Sequence, residues 1–163
     1  MPNLTPLVGD SFFVERIQEL QIGTSAKSII YTKDSALQKE ERAFFKNRVK
    51  KAFIQWLYYK KLLPWEELPS FLDVHHKHPL GGGGDSSFSN LVILPRRDHE
   101  KMNREVIDPQ LRGIVEGETR EIIVPWWDDS YVDWFNIRKY IDELERSHGR
   151  FRGRGSDGFR GRD

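Results

Sequence analysis

The sequence predicts an α+β fold, and three of its features support that prediction. Residues 34–64 have the apolar period of one long amphipathic helix. Two short runs rich in β-branched residues, 71–76 and 90–95, flank a glycine-rich loop, and a helical pattern follows at 96–107. A last strand pattern and a last helical pattern come after these. We therefore expect an N-terminal helical part packed on a small unit of strand, loop, strand and helix.

The N-terminal helices are bounded by capping and terminating residues. In the first, "DSFFVERIQELQIG", Asp10 or Ser11 can cap the helix and Gly23 can end it. In the second, Asp34 or Ser35 can cap the helix and Pro64 stops it. The apolar stripe of the second helix is expected in the core and consists of Phe44, Val49, Phe53, Trp56, Leu57 and Leu63. Its opposite face is basic and carries Lys46, Arg48, Lys50, Lys51, Lys60 and Lys61.

The C-terminal half alternates strands and helices. "FLDVHH" and "NLVILP" predict strands, "RRDHEKMNREVI" a helix, "TREIIVP" one extra strand, and "SYVDWFNIRKYIDELERS" a last helix with Ser130 as its cap. From residue 149 onward, "GRFRGRGSDGFRGRD" alternates Gly with Arg and has no apolar period. This composition predicts a disordered tail, of a type that resembles segments binding RNA or DNA loosely.

Composition excludes some kinds of site and leaves others open. The chain of 163 residues has no cysteine, so disulfides and thiolate metal sites are excluded. The net charge is only +1, but residues 27–61 contain ten Lys and Arg against three Asp and Glu, a local charge of +7. Such a surface attracts phosphate backbones, although a solvated helix face is an equally good interpretation of that run alone.

The chain shows no membrane span and no signal peptide in its sequence pattern. We therefore expect the protein in the cytoplasm of the cell where it acts, and any export to use no classical signal peptide.

The polar residues between positions 72 and 103 have a spacing that suits a metal site. His75 and His76 are adjacent on a strand, where successive side chains point to opposite faces. His99 and Asn103 are four residues apart on a helix and share one face. His75, His99 and Asn103 can thus converge on one divalent cation, with positions left open for water and a phosphate oxygen.

His76 then remains free beside the cation. An imidazole with an ordinary pKa of about 6.5 suits a general base that deprotonates a water attacking phosphorus. Asn90, at the start of the second strand, can hydrogen-bond the loop backbone and hold the histidine strand in place. The four glycines are expected to give a tight turn and to let a nucleic-acid backbone approach closely.

The segment "HHKHPLGGGGDSSFSNLVILPRRDHEKMN" resembles the ββα-metal, or HNH, nuclease motif. It is most similar to the version in the colicin-type DNase and tRNase domains of bacteriocins and polymorphic toxins. The resemblance covers about residues 72–125 and includes the paired histidines, Pro79, Gly83, Gly84, Asn90, Pro95, His99 and the position four later. Residues 1–65 and the tail show no such resemblance.

The resemblance implies a role for each matched position. His75 and His99 would be metal ligands, His76 the general base, and Asn90 the residue that orders the motif. The colicin pattern has a histidine where this chain has Asn103, whereas other branches of the superfamily use asparagine as a ligand there. An oxygen ligand favours Mg²⁺ or Mn²⁺, with Zn²⁺ or Ni²⁺ as alternatives.

The order of the predicted elements gives a domain organisation, and the resemblance implies a function. One nuclease domain would span 1–148, with a helical part (1–66), an HNH core (67–125) and a C-terminal helix (126–148), followed by the tail at 149–163. We expect a metal-dependent endonuclease of low sequence specificity, with DNA preferred over RNA, leaving a 5′-phosphate and a 3′-hydroxyl. Its expected role is an antibacterial toxin or effector. The alternatives are a phage or mobile-element HNH endonuclease, and a non-catalytic nucleic-acid-binding module with a structural metal site.

Some surface roles follow from charge and composition. The residues expected to contact nucleic acid are Arg96, Arg97, Lys77, Lys50 and Lys51. Asp73 either orients an arginine or histidine or is a plain strand-end residue, and His78 is a loop residue. The aromatics of "VPWWDDSYVDWF" are expected mainly in the core. A second interpretation of that acidic, aromatic segment is a surface for an immunity or inhibitor protein.

Overall fold

A computed structural model describes residues 11–149 of the chain. The described part is α+β, with helices and two small antiparallel sheets. The strands are β1 (Ser25–Thr32), β2 (Leu72–His76), β3 (Leu91–Pro95) and β4 (Thr119–Trp126). The helices are α1 (Ser11–Leu20), α2 (Ser35–Phe44), α3 (Lys50–Tyr59), α4 (Arg96–Met102), α5 (Asp108–Gln110) and α6 (Trp134–Gly149). The tail predicted from residue 149 onward lies outside the described residues from position 150.

The long second helix is present, but a π-helical turn at Phe45–Val49 separates α2 from α3. Asp34 caps it by accepting a hydrogen bond from the Leu37 N–H at 3.0 Å. The wider turn changes which side chains face inward. Phe44 is therefore 52% exposed, so its predicted place in the core was wrong, whereas Phe45 is buried. The helix also ends at Tyr59, before Pro64.

β1 is the element that the sequence patterns did not predict. It pairs with β4 in antiparallel register from Ser25 opposite Trp126 to Thr32 opposite Thr119. The region predicted as a helical part (1–66) thus contains a strand, and the extra strand predicted at 119–125 has a partner. The run "SAKSIIYT" hides this strand because Lys27 and Ser28 interrupt its apolar alternation.

The hairpin of β2 and β3 lies between two apolar cores. Its register runs from Leu72 opposite Pro95 to His76 opposite Leu91. Alternate residues of β3 face opposite sides, so Val92 and Leu94 join the core of α1 and the β1–β4 sheet. Leu91 and Ile93 join the second core, which contains residues of α3 and α6. Every residue of β3 is buried, which explains its continuous apolar sequence.

The glycines between β2 and β3 serve two purposes. Gly83 has a φ of +102°, a left-handed conformation that suits glycine. Gly81 and Gly82 are buried, and a Cβ at Gly82 would lie 2.2 Å from the Tyr31 ring. These two glycines therefore allow β1 to pack on the loop. The expectation that the whole glycine run admits a nucleic-acid backbone was wrong for Gly82, which packs against the Tyr31 ring, whereas Gly81 lines the cavity described below.

The C-terminal helix α6 is capped by Asp133, whose carboxylate accepts a hydrogen bond from the Asn136 N–H at 3.1 Å. Ser130, the predicted cap, donates instead to the Val132 carbonyl. Asp133 is only 6% exposed and also accepts a bond from the Trp127 indole, so it is not part of an acidic surface. In the described part of the chain, no helix is both long and apolar enough to cross a membrane.

Candidate active site

A cavity of about 370 Å³ opens where the β2–β3 hairpin, α2, α4 and the helical turn after α4 meet. It brings together the four residues predicted to hold a metal or act as a base. The polar residues that line it include Tyr31, Arg42, His75, His76, His99 and Asn103. Residues from both halves of the chain therefore form one site.

His75 is a buried imidazole with an unused nitrogen. The residue is 6% exposed, and its Nε2 is buried without any hydrogen-bond partner. Its ring centroid lies 5.1 Å from that of His99 and 5.5 Å from that of Trp127. Burial, and then the nearby positive charges, lowers the pKa of His75 well below its ordinary value. The ring is thus held neutral, the form that can bind a metal.

His99 is oriented by a carboxylate. Its Nδ1 lies 3.0 Å from an Asp73 carboxylate oxygen, and the second Asp73 oxygen accepts hydrogen bonds from Arg96. Asp73 therefore orients both a histidine and an arginine, which decides between the two sequence interpretations of this residue. Burial raises the pKa of Asp73, but the bonds from His99 and Arg96 outweigh it, and the net shift is downward. A carboxylate on one nitrogen leaves the other imidazole nitrogen for a metal.

The three predicted ligands line one cavity. His75 has a buried nitrogen without a partner, His99 keeps its Nε2 available, and Asn103 lines the same cavity at the start of the π-helical turn Asn103–Ile107. Within residues 11–149, no group of three or more His, Cys, Asp or Glu could hold a metal. An ion at this site would therefore depend on the Asn103 amide as the third protein ligand.

His76 lies on the other face of the strand and is only partly buried. Its Nε2 is 3.1 Å from the Ser86 hydroxyl, and the Phe45 ring meets its ring edge-on at a centroid distance of 4.5 Å. Burial, followed by the positive charge of Arg42, lowers the pKa of His76 to about 4. The ring is thus neutral at pH 7 and has a lone pair, although it is a weaker base than the unshifted imidazole expected from the sequence.

Asn90 closes the loop between the strands. Its side-chain oxygen accepts a hydrogen bond from the His78 N–H at 2.9 Å, and its amide donates to the His78 and Asp85 carbonyls at 3.0 and 2.8 Å. The expected contact of Asn90 with the loop backbone is present. These bonds fix the residues immediately after His76, so Asn90 is a positioning residue that does not itself line the cavity. His78, the expected loop residue, lies near the Ile30 and Gly82 carbonyls.

No family model, curated protein or solved structure matches the chain. The functional inference therefore depends on the geometry of the site.

The predicted nucleic-acid contacts have different environments. Lys77 is 3% exposed and donates to the Trp127 carbonyl at 3.0 Å, so the expectation of a contact with nucleic acid was wrong for this residue. Arg97 pairs with Glu143 and lies over the Tyr140 ring at 4.7 Å. Both partners belong to α6, so the Arg97 guanidinium is already bound within the protein. Arg96 is exposed and pairs with Asp73 beside the site. Lys50 and Lys51 are exposed on α3 and do not line the cavity.

Three residues of the site were missed in the sequence. Arg42 is exposed, lines the cavity from α2, and forms no ion pair among the described residues. Tyr31 enters from β1, and Ser86 contacts His76 from the loop. No local pattern could identify Arg42 or Tyr31, because only the packing of the N-terminal elements on the hairpin brings them there.

Proposed function

We propose that this chain is a metal-dependent endonuclease of the HNH type. The observation that supports this proposal best is that the two adjacent histidines have different environments. His75 is buried with an unpartnered Nε2 next to His99, whereas His76 lines the same cavity, is only partly buried and bonds Ser86. A purely structural metal site has no need of the second, partly exposed imidazole.

His75, His99 and Asn103 would hold the ion. A bound divalent cation supplies charge neutralisation of the phosphate and stabilisation of the leaving oxygen. Asp73 holds His99 in one tautomer and one ring orientation, because its carboxylate oxygen lies 3.0 Å from Nδ1. These residues would be set before substrate arrives, since the hairpin and α4 are joined by this contact.

His76 would act as the general base. When Ser86 accepts a hydrogen bond from the Nε2–H, the lone pair of the ring is on Nδ1, and this nitrogen can take the proton of an attacking water. Burial, and then the charge of Arg42, lowers the pKa of His76, and a phosphodiester bound beside Arg42 would offset the effect of that charge. The larger effect, from burial, would remain.

Arg42 and Arg96 are the cations best placed to bind the phosphate. Arg42 lines the cavity, and Arg96 is exposed next to it at the start of α4. Contacts of this kind recognise the backbone and not the bases, so the cleavage should have low sequence specificity. DNA is the preferred substrate in this proposal. An antibacterial toxin with a cognate immunity protein is the biological role we propose, by resemblance alone.

The test is incubation of the purified protein with supercoiled plasmid, single-stranded DNA and tRNA, each with Mg²⁺, Mn²⁺, Zn²⁺, Ni²⁺ or chelator. We expect nicking of plasmid with Mg²⁺ or Mn²⁺ and none with chelator. Cleavage of tRNA alone would change the substrate class but keep the chemistry. No cleavage of any substrate with any ion, by protein that binds DNA, would favour the non-catalytic binding module.

A further inference from the structure

A second concave surface lies between the end of α3 and the start of α6, with a volume of about 680 Å³. We call it the aromatic groove and define it by Tyr58, Tyr59, Lys61, Leu62, Trp134 and Arg138. None of these residues lines the cavity of the candidate active site. The groove is therefore a separate feature of the molecule that the proposed hydrolysis does not use.

The groove exposes flat aromatic surface to solvent. Tyr59 is 71% exposed and meets the edge of Tyr58 at a centroid distance of 5.6 Å. Trp134 is held at 6.0 Å from Trp65. The Arg138 guanidinium lies 5.5 Å above the Trp134 ring. An exposed ring such as Tyr59, beside a half-buried Trp134 with a cation over it, is typical of surfaces on which nucleic-acid bases stack.

The positive charges of the groove form no ion pair within the described part of the chain. Lys61 and Arg138, and the neighbouring Lys60, are absent from the ion pairs found there. The same is true of the basic residues on the adjacent α2–α3 face, which are Lys46, Arg48, Lys50 and Lys51. A surface with this much unpaired positive charge is complementary to a polyanion.

Lys61 has a backbone conformation that favours glycine. Its φ is +63°, and the Leu62 N–H donates to the Leu57 carbonyl at 2.9 Å, as in a helix end that normally uses glycine. A lysine here destabilises the fold relative to glycine, because its Cβ is crowded in the left-handed region. The lysine side chain at this strained position supplies a cation to the groove, which is a reason for it to occur there.

We propose that the aromatic groove binds single-stranded nucleic acid, with bases stacked on Tyr59 and against Trp134 and phosphates bound by Lys61 and Arg138. Duplex DNA fits less well because its bases are already stacked on each other and cannot cover the exposed Tyr59 ring. An acidic protein segment would match the charge but has no particular need of two flat rings. The inference goes beyond phosphodiester hydrolysis, and binding in the groove does not require it.

The test is fluorescence anisotropy of a labelled 15-mer of thymidylate with the full chain in chelator, so that no cleavage occurs. Tyr59→Ala should weaken binding roughly 5- to 150-fold, the range for loss of one stacked base. Phe135→Ala is the matched control, because Phe135 is a 59% exposed aromatic residue of α6, next to Trp134, but lines a different cavity. This control should keep wild-type affinity.

Lys61→Gly gives a second test, in which stability and binding should change in opposite directions. This variant should raise the melting temperature while weakening binding and reducing the salt dependence of log Kd by about 0.7, as for one phosphate contact on a single strand. Gln21→Gly is its control, since Gln21 also has a positive φ, of 57°, at the end of α1. It should raise the melting temperature and leave the affinity unchanged.

Wild-type affinity for the 15-mer in both Tyr59→Ala and Lys61→Gly would overturn the proposal. A second result would also overturn it: Tyr59→Ala keeps its affinity for the 15-mer but has an altered sedimentation coefficient. The groove would then be an interface between copies of the chain. Because the binding is measured without metal, absence of plasmid cleavage would count against the proposed nuclease and leave this result intact.

Discussion

Acid should destabilise the metal-free protein through its buried histidines, and His76 gives the measurable case. Burial and the charge of Arg42 lower its pKa from 6.5 to about 4 in the folded chain. The unfolded chain binds the proton near pH 6.5 and the folded chain only near pH 4. The unfolded state therefore binds more protons between these values, and stability is full above pH 6.5 and falls as the pH falls through this window.

The size of the effect follows from the two pKa values. Between pH 7.5 and pH 5, His76 alone should lower the free energy of unfolding by about 2 kcal/mol, and by about 3 kcal/mol at pH 4. The buried His75 contributes with the same sign, because its pKa is also lowered. The pKa of Asp73 is lowered despite its burial, so its contribution is lost only as the pH falls below about 3.9. Measurements at pH 5 and above therefore do not include the loss of the Asp73 contribution to stability.

The assay is urea unfolding followed by tryptophan fluorescence, in chelator, at pH 7.5, 6 and 5. His76→Gln removes the titrating group, so this variant should lose about 2 kcal/mol less than the wild type between pH 7.5 and pH 5. Lys51→Gln, an exposed change without a group that titrates in this range, should keep the wild-type pH dependence. Equal losses in wild type and His76→Gln would refute the idea that the folded protein holds His76 neutral.

Three further changes test the positions around the site. Asp73→Asn removes the carboxylate that orients His99, so the Mn²⁺ affinity measured by calorimetry should fall about 10- to 100-fold, and an unchanged affinity would contradict the orienting role. Asn90→Ala removes three hydrogen bonds to the loop backbone and should lower the free energy of unfolding by about 2–3 kcal/mol in urea; a loss below about 0.5 kcal/mol would show that the loop does not need them. Gly82→Ala would place a Cβ 2.2 Å from the Tyr31 ring and should destabilise the protein by about 1–3 kcal/mol. In a Tyr31→Ala background, Gly82→Ala should lower the free energy of unfolding by less. If the effects of the two changes simply add, the contact with the Tyr31 ring is not the cause.

Elements with a complete local signal were predictable from the sequence. α1, the α2–α3 helix, β2, β3 and the helix that begins at Trp134 all coincide with apolar periods between capping or breaking residues. β1 escaped prediction because its buried positions, Ala26, Ile29 and Tyr31, alternate only toward its end. Its stability comes from pairing with β4, about ninety residues later in the chain, and no local pattern records that pairing.

The site was predictable only where strand and helix periods determine it. Alternation along β2 separates His75 from His76, and the four-residue spacing on the helix places His99 with Asn103. Arg42 could not be predicted, because α2 reaches the cavity through tertiary packing. The prediction that Lys77 contacts nucleic acid was wrong because lysines are usually exposed. This one is buried by tertiary packing, and its ammonium group donates to the Trp127 carbonyl.

In the proposed mechanism, His75 binds the metal and His76 acts as the general base. The most direct test is the variant His76→Ala, assayed for Mn²⁺ binding and plasmid nicking in the same preparation. The account predicts that this variant binds one Mn²⁺ per chain with close to wild-type affinity and does not nick plasmid. His99→Ala, prepared in parallel, should lose both properties. Nicking by His76→Ala at the wild-type rate would contradict the assignment of His76 as the general base.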